Sequence, residues 1–507
     1  MFIASAGLSQ AQSPGRPSGA LPTLGDTSEL TAGAERRLGD RIASSIYRDP
    51  DYLDDPVLGD YLQGIWKPLM VAARARGELS AELEERFAWD LMLIRNRSVN
   101  AFALPGGYLG VHLGLISVVS TRDELASVLA HELSHVTQRH ISRLMSKQDQ
   151  QVPLLIATIL FGIMAAGRNA DMANAAIAGG QALAIQNQLN FSRDMEREAD
   201  RVGFGVMAEA GFDKQGFTSM FEKLEQASRL TDSGSFPYLR THPLNTERIA
   251  EAKSRLQLEA NTPAPSGAAA TDAAAASLLH AMMAGRARVM GDTSSDALQT
   301  AVTNAQRAAS PATAVTARDA GALYAGTLAA IRLRDYVLGR SFVARLRQAV
   351  ASSRPLTDQV QWLAMELELA AENPLAAIKL TNTSSRPAVL LQARADIGAG
   401  RAAEASGRLQ RWVTDYPKDA IAWELLSQAY GKQGQLLRAI RADAEARVAQ
   451  LDYPAARDRL KAAQDMVRSN RNSSAPENYI DSSIIDTRAR EVDQILREQA
   501  ADEKAAR

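Results

Sequence analysis

The stretch AHELSHVTQRH, Ala130 to His140, constrains this chain more than any other, because it gathers three of the six histidines of a 507-residue protein. Thr121 followed by Glu124 has the spacing of a capping box, and Leu125, Val128, Leu129 and Val136 recur at helical intervals, so the stretch is predicted to lie on a helix starting near Thr121. At about 100° of turn per residue, His131 and His135 fall about 40° apart on one face. On the same continuing helix His140 falls about 180° from His131, faces away, and is expected to be a structural or surface residue. Two imidazoles on one face can share an ion, but they need a further ligand from another element.

Glu132 lies between the pair, completing His-Glu-x-x-His, the signature of a zinc-binding helix that carries its own general base. Catalytic zinc takes three protein ligands and keeps a fourth position for water. In SRDMEREADRVG, Glu196 and Asp200 are four apart and share one face of a second predicted helix, while Glu198 is about 200° from Glu196 and points elsewhere. Glu196 is the expected third ligand, and Asp200 is expected to accept the free ring N–H of a histidine ligand and so fix its tautomer. One zinc so held would polarise a carbonyl and lower the pKa of a bound water from about 15.7 to about 7. Glu132 would take the water's proton and pass it to a leaving amine, with the ion and a basic residue stabilising the oxyanion. NAFALPGGYLGVH reads as a strand and turn. It is either an ordinary hairpin or an edge strand whose Asn100, Ala101 and Phe102 pair with extended substrate backbone. RTHPLNTERI supplies His242, held before a proline, and Arg248.

Composition narrows the remaining classes. With 57 basic and 58 acidic residues there is no charge excess to attract nucleic acid, and no polybasic cluster to attract anionic lipid. The absence of cysteine excludes thiol proteases, Cys-ligated zinc and disulfide frameworks. The longest apolar run, Leu154 to Ala166, is too short for a transmembrane helix, which needs about 20 residues, and reads as a buried helix or a lid. MFIASAGLSQAQS has an apolar stretch without a basic start, like the tail of a signal peptide.

NTPAPSGAAATDAAAA reads as a low-complexity linker. Beyond it the chain is rich in Ala, Leu and Arg at helical spacing. Ala405, Trp412, Pro417, Trp423, Leu426, Tyr430 and Ala439 fall at the offsets of tetratricopeptide units, helical hairpins that must stack to bury their apolar faces; a generic helical bundle is the other reading.

Together NAFALPGG, HELSH, SRDMEREAD and THPLNTER, in that order, resemble the zinc metallopeptidases that include HtpX and the CAAX prenyl endoproteases. With helical repeats after the protease motifs, the chain is most similar to the beta-barrel assembly-enhancing proteases of Gram-negative bacteria. The resemblance implies an α+β, mostly helical protein: a gluzincin-type zinc metallopeptidase domain followed by an all-α tetratricopeptide-like domain. Expected boundaries are a lead-in at 1–22, the peptidase at 23–258, the linker at 259–277, a separable repeat domain at 278–470 and a polar, charged tail at 471–507. It further implies a periplasmic enzyme near the outer membrane that degrades misassembled β-barrel proteins and aids their assembly. Its repeats would contact those clients and the barrel-assembly machinery, with peripheral membrane association at most. The resemblance makes His242 a fourth zinc ligand that keeps the enzyme latent. It also places Arg248 near the active site, in the catalytic machinery with Glu132 and Asp200. The rival reading is an assembly chaperone or scaffold whose protease is largely silent.

Overall fold

The computed structural model describes residues 30–146, 193–230, 236–258, 268–310, 315–351, 353–380, 385–469 and 476–505; the expected lead-in and the Leu154–Ala166 run lie outside them. The N-terminal part runs α1 (Ala32–Tyr47), β1 (Tyr52–Leu53), α2 (Pro56–Ala75), α3 (Ala81–Arg86), β2 (Asp90–Ile94), β3 (Ala101–Leu104), β4 (Tyr108–His112), α4 (Leu113–Val118), α5 (Arg122–Thr137) and α6 (His140–Ser146). It continues with α7 (Arg193–Glu209), α8 (Gln215–Leu230), α9 (Tyr238–Thr241) and α10 (Thr246–Leu258).

Helix α5 is the centre of this part. Thr121 caps it, accepting from the Glu124 amide, as the spacing predicts. The other half of the capping box differs: the Glu124 carboxylate takes the Ser120 amide and the Lys223 ammonium. Every residue from Glu124 to Thr137 is buried, because α5 is covered on several sides by α7, α8, α2 and the sheet. Helix α7 reaches α5 closely because it presents Gly203, where a Cβ would stand 3.1 Å from the Ala130 carbonyl and the His131 amide. That approach sets Glu196 and Asp200, about two turns and one turn earlier on α7, over the histidine face of α5.

The sheet order is β1-β2-β4-β3, with β2 and β4 parallel and β3 antiparallel to β4. The Pro-Gly-Gly turn between β3 and β4 uses left-handed φ of 73° at Gly106 and 84° at Gly107, conformations that suit glycine. Strand β3 is an edge. The Asn100 carbonyl accepts from the His112 amide, so the even residues Asn100 and Phe102 turn their backbones inward to β4. The outward-turned backbones of β3 are therefore those of Ala101 and Ala103, so of the expected Asn100–Phe102 set only Ala101 turns its backbone away from β4.

Twelve helices follow among the described residues, from α11 (Ala268–Gly291) to α22 (Pro476–Ala505), each packed on its successor and several also on the next but one. Part of the expected linker is thus helical from Ala268, as a run of the best helix-forming residue favours. The expected tail is largely one helix whose Ile485 and Val492 are buried against Leu460. Ala405, Leu426 and Tyr430 share one buried cluster with Trp412, Trp423 and Ala439 at its border, and the Trp423 indole donates to the Pro417 carbonyl at 2.9 Å.

This array is not strung loosely behind the peptidase part. One hydrophobic core runs from Ala32 through Ala395. Arg286 on α11 grips Asp55, the N-cap of α2, at 2.7 and 2.9 Å and Glu366 at 2.7 and 2.8 Å, all but buried. His280 joins the Tyr61 hydroxyl at 2.7 Å to the Val119 carbonyl at 2.9 Å. Arg386 spans Asp54 and Asp419 with four bonds of 2.8 to 2.9 Å.

Candidate metal centre

Four side chains converge where α5, α7 and the segment after α9 meet: His131, His135, Glu196 and His242, all buried, each offering one ligand atom within 4.8 Å of the others. His131 Nε2 lies 3.0 Å from His135 Nε2, 3.4 Å from His242 Nδ1 and 3.5 Å from Glu196 Oε2. Glu196 Oε1 is 3.4 Å from His135 Nε2 and 3.0 Å from His242 Nδ1. Ligand atoms bound tetrahedrally at about 2.0–2.1 Å stand about 3.3 Å apart, and these separations bracket that figure.

The proton inventory gives the same answer. His131 Nδ1 is 2.9 Å from Asp200 Oδ1, and His135 Nδ1 is 2.9 Å from His140 Nδ1. A neutral imidazole has one N–H, and Asp200 takes that of His131 at Nδ1, so His131 turns its Nε2 lone pair toward the cluster. If His135 likewise donates at Nδ1 to His140, the two Nε2 lone pairs face each other, an arrangement that a positive charge between them makes favourable. Protonation alone supplies it in part: burial pushes His131 down, but Asp200 and Glu196 outweigh burial and raise it to about 9. His135 is pushed well below its ordinary range, first by burial and then by the neighbouring His131 charge.

The acids divide in a similar way. Burial works against an ionised Glu196, yet His242 and His131 hold it well below the usual carboxylate range. Asp200 is likewise depressed against burial, chiefly by Arg248, which bonds it through Nε at 2.6 Å and Nη2 at 2.8 Å. The same guanidinium reaches Glu196 Oε2 at 2.8 Å and donates to the Pro243 carbonyl at 2.9 Å. Arg248 thus clamps the two acids of α7 to the loop carrying His242. Glu132 is different. Its carboxylate is fully buried, 3.5 Å from His242 Nε2 and facing the Tyr238 hydroxyl, and burial raises its pKa.

Two features escaped the sequence. Tyr238 stacks on His242 with ring centroids 4.6 Å apart and planes at 28°, and its amide donates to the Val99 carbonyl, two residues before β3, at 3.4 Å. Its position four residues before His242 was the available signal. The second is His140, which does not face away. Helix α5 ends at Thr137, Arg139 adopts a left-handed φ of 53°, and His140 opens α6 folded back beneath His135. Glu198 does leave the ligand set, as its phase predicts, but it does so to meet His140 Nε2 at 3.1 Å.

Residues 69–256 match the model of peptidase family M48. Those residues are a peptidase family M48 domain. It is a metallopeptidase domain, and its cluster of His131, His135, Glu196 and His242 suits a metal ion. The beta-barrel assembly-enhancing protease of Escherichia coli strain K12 is 29% identical over 419 residues, 81% of this chain and 80% of its own. A Vibrio cholerae protein that bears the same name provisionally is 35% identical over 237 residues, so there this chain spans only 47% of the relative. The mitochondrial metalloendopeptidase OMA1 of Arabidopsis thaliana is 31% identical over 177 residues, 35% of this chain and 32% of its own.

Proposed function

We propose that the chain is a zinc endopeptidase of the periplasm that degrades misassembled outer-membrane β-barrel proteins, assists their assembly, and stays latent while His242 is bound to the ion. The observation that most supports this is the convergence of His131, His135, Glu196 and His242 beside the buried base Glu132. The relatives named for barrel assembly support the substrate class. No described helix is long and apolar enough to cross a membrane, which fits an enzyme that meets membrane proteins from outside the bilayer.

His131, His135 and Glu196 would hold zinc, which supplies Lewis acidity toward a scissile carbonyl and acidifies water. Glu132 takes a proton and hands it to the leaving amine; a carboxyl raised by burial suits that two-way transfer. Substrate backbone pairs with Ala101 and Ala103 on the edge of β3. Asp200 and Arg248 are positioning residues, because they act through His131 and Glu196. The helical array gathers clients and assembly partners as stacked hairpins of tetratricopeptide type. A silent scaffold has less support, since it has no use for a buried base at Glu132.

Latency follows from the fourth ligand. A zinc ion with four protein ligands has no position for water, and Tyr238 stacked on His242 favours that closed arrangement. A client that binds the open form better supplies the free energy of release. His242→Ala should therefore raise hydrolysis of an unstructured peptide while zinc stays with the other three ligands. A fall in turnover at constant zinc would instead make His242 a stabiliser of the transition state.

A further inference from the structure

Resting on the metal reading above, we propose that His140 is a positioning residue of the metal centre. With Glu198 it forms a relay that holds His135 in the tautomer and orientation a metal requires. Two distances carry this: His135 Nδ1 to His140 Nδ1 at 2.9 Å and His140 Nε2 to Glu198 Oε2 at 3.1 Å. His135 presents Nε2 to the ligand cluster, so its one proton sits on Nδ1 and is donated to His140 Nδ1. His140 must then accept at Nδ1, and its own proton sits on Nε2 and goes to the Glu198 carboxylate. Each imidazole fixes the tautomer of the next, and the chain ends on a carboxylate that Arg143 also holds at 2.8 Å.

The arrangement parallels the one on the other ligand. His131 leans on Asp200, itself clamped by Arg248, and His135 leans on His140, tied to Glu198 and Arg143. The two histidine ligands thus have separate acid–arginine supports. The His135 support differs in that an imidazole carries the contact to a carboxylate that is 29% exposed, whereas Asp200 is buried beside its ligand. His140 itself is wholly buried, so no water from bulk substitutes readily for it. Outer partners of metal-bound histidines are worth about 10–100-fold in metal affinity, and that magnitude is expected here.

The test measures zinc affinity of the full chain by competition with a chromophoric chelator. It uses the parent and the variants His140→Phe, His140→Asn and Glu198→Ala. Phenylalanine fills the space without an acceptor, whereas the asparagine side-chain oxygen can accept where Nδ1 does. His140→Phe and Glu198→Ala should weaken zinc binding, the former by about 10–100-fold, and His140→Asn should stay near the parent. Circular dichroism of each metal-free variant identifies any that do not fold, and Glu198→Ala leaves the core of α5 intact should His140→Phe fail. If His140→Phe or Glu198→Ala folds and binds zinc like the parent, the relay does not position His135 and the inference falls. If the parent itself binds no zinc, the metal reading beneath it fails instead.

Discussion

Glu132 sits at 0% exposure between two ligand histidines, with its carboxyl raised by burial against the Tyr238 hydroxyl and the neighbouring imidazoles. On the proposed reading this group serves proton transfer and not the fold. Glu132→Gln should keep metal and secondary structure and lose about 10²- to 10⁴-fold in peptide hydrolysis, which a fluorogenic peptide assay would read. Arg248 is the opposite kind of residue. It lies 3% exposed against Asp200 and Glu196, both depressed, so Arg248→Ala takes from Asp200 its guanidinium partner and from Glu196 one of its cationic contacts. Breaking a buried pair in this way costs about 3–5 kcal/mol, and denaturant unfolding of the metal-free variant should show a loss of that order. That His131 shares a face with His135, and Glu196 with Asp200, was legible at this scale because the helical period fixes it, whereas Glu132 was legible only through the His-Glu-x-x-His signature. His140 was not, since nothing in Thr137-Gln138-Arg139 marks a stop: there is no glycine or proline, and the break falls on a left-handed arginine.

At the scale of elements, the sequence marked α5, where the Thr121 cap precedes an apolar period. It was less clear where composition looked featureless. The alanine tract from Ala268 reads as a linker by complexity and as a helix by propensity, and propensity prevailed once α11 had α4 and α13 (Ala317–Arg332) to pack against. Helix α19 (Ala420–Lys432) rests on one acid: Asp419 caps it through the Ala422 amide, accepts from the Trp412 indole and pairs with Arg386. Burial opposes ionisation of Asp419, yet Arg386 holds its pKa below the ordinary value. A depressed acid contributes stability above its unfolded pKa of about 3.9, and that contribution is lost as pH falls through the folded value. Asp419→Asn, which keeps the cap and removes the charge, should therefore be less stable than the parent at neutral pH. The gap should close in acid below about pH 4, as thermal melts at the two pH values would show.

Over the whole molecule, the peptidase domain and the first helices of the array share one core and the buried Arg286–Asp55–Glu366 cluster. The sequence pointed to two architectures, which it placed correctly in order. It did not show their fusion, because contacts between residues 231 apart, such as Asp55 and Arg286, leave no local pattern. Calorimetry of the full chain should show the peptidase domain and the adjoining helices melting as one unit. A chain cut near residue 258 should be much less stable, with Asp55 and the apolar faces of α2 and α4 exposed.

Whether His131, His135, Glu196 and His242 hold a zinc ion is read by metal analysis of the purified full chain. About one zinc per chain is expected in the parent and in Glu132→Gln, with loss of zinc when His131 and His135 are both replaced by alanine. A parent free of zinc after purification without chelator, and still free after equilibration with zinc, would contradict that expectation.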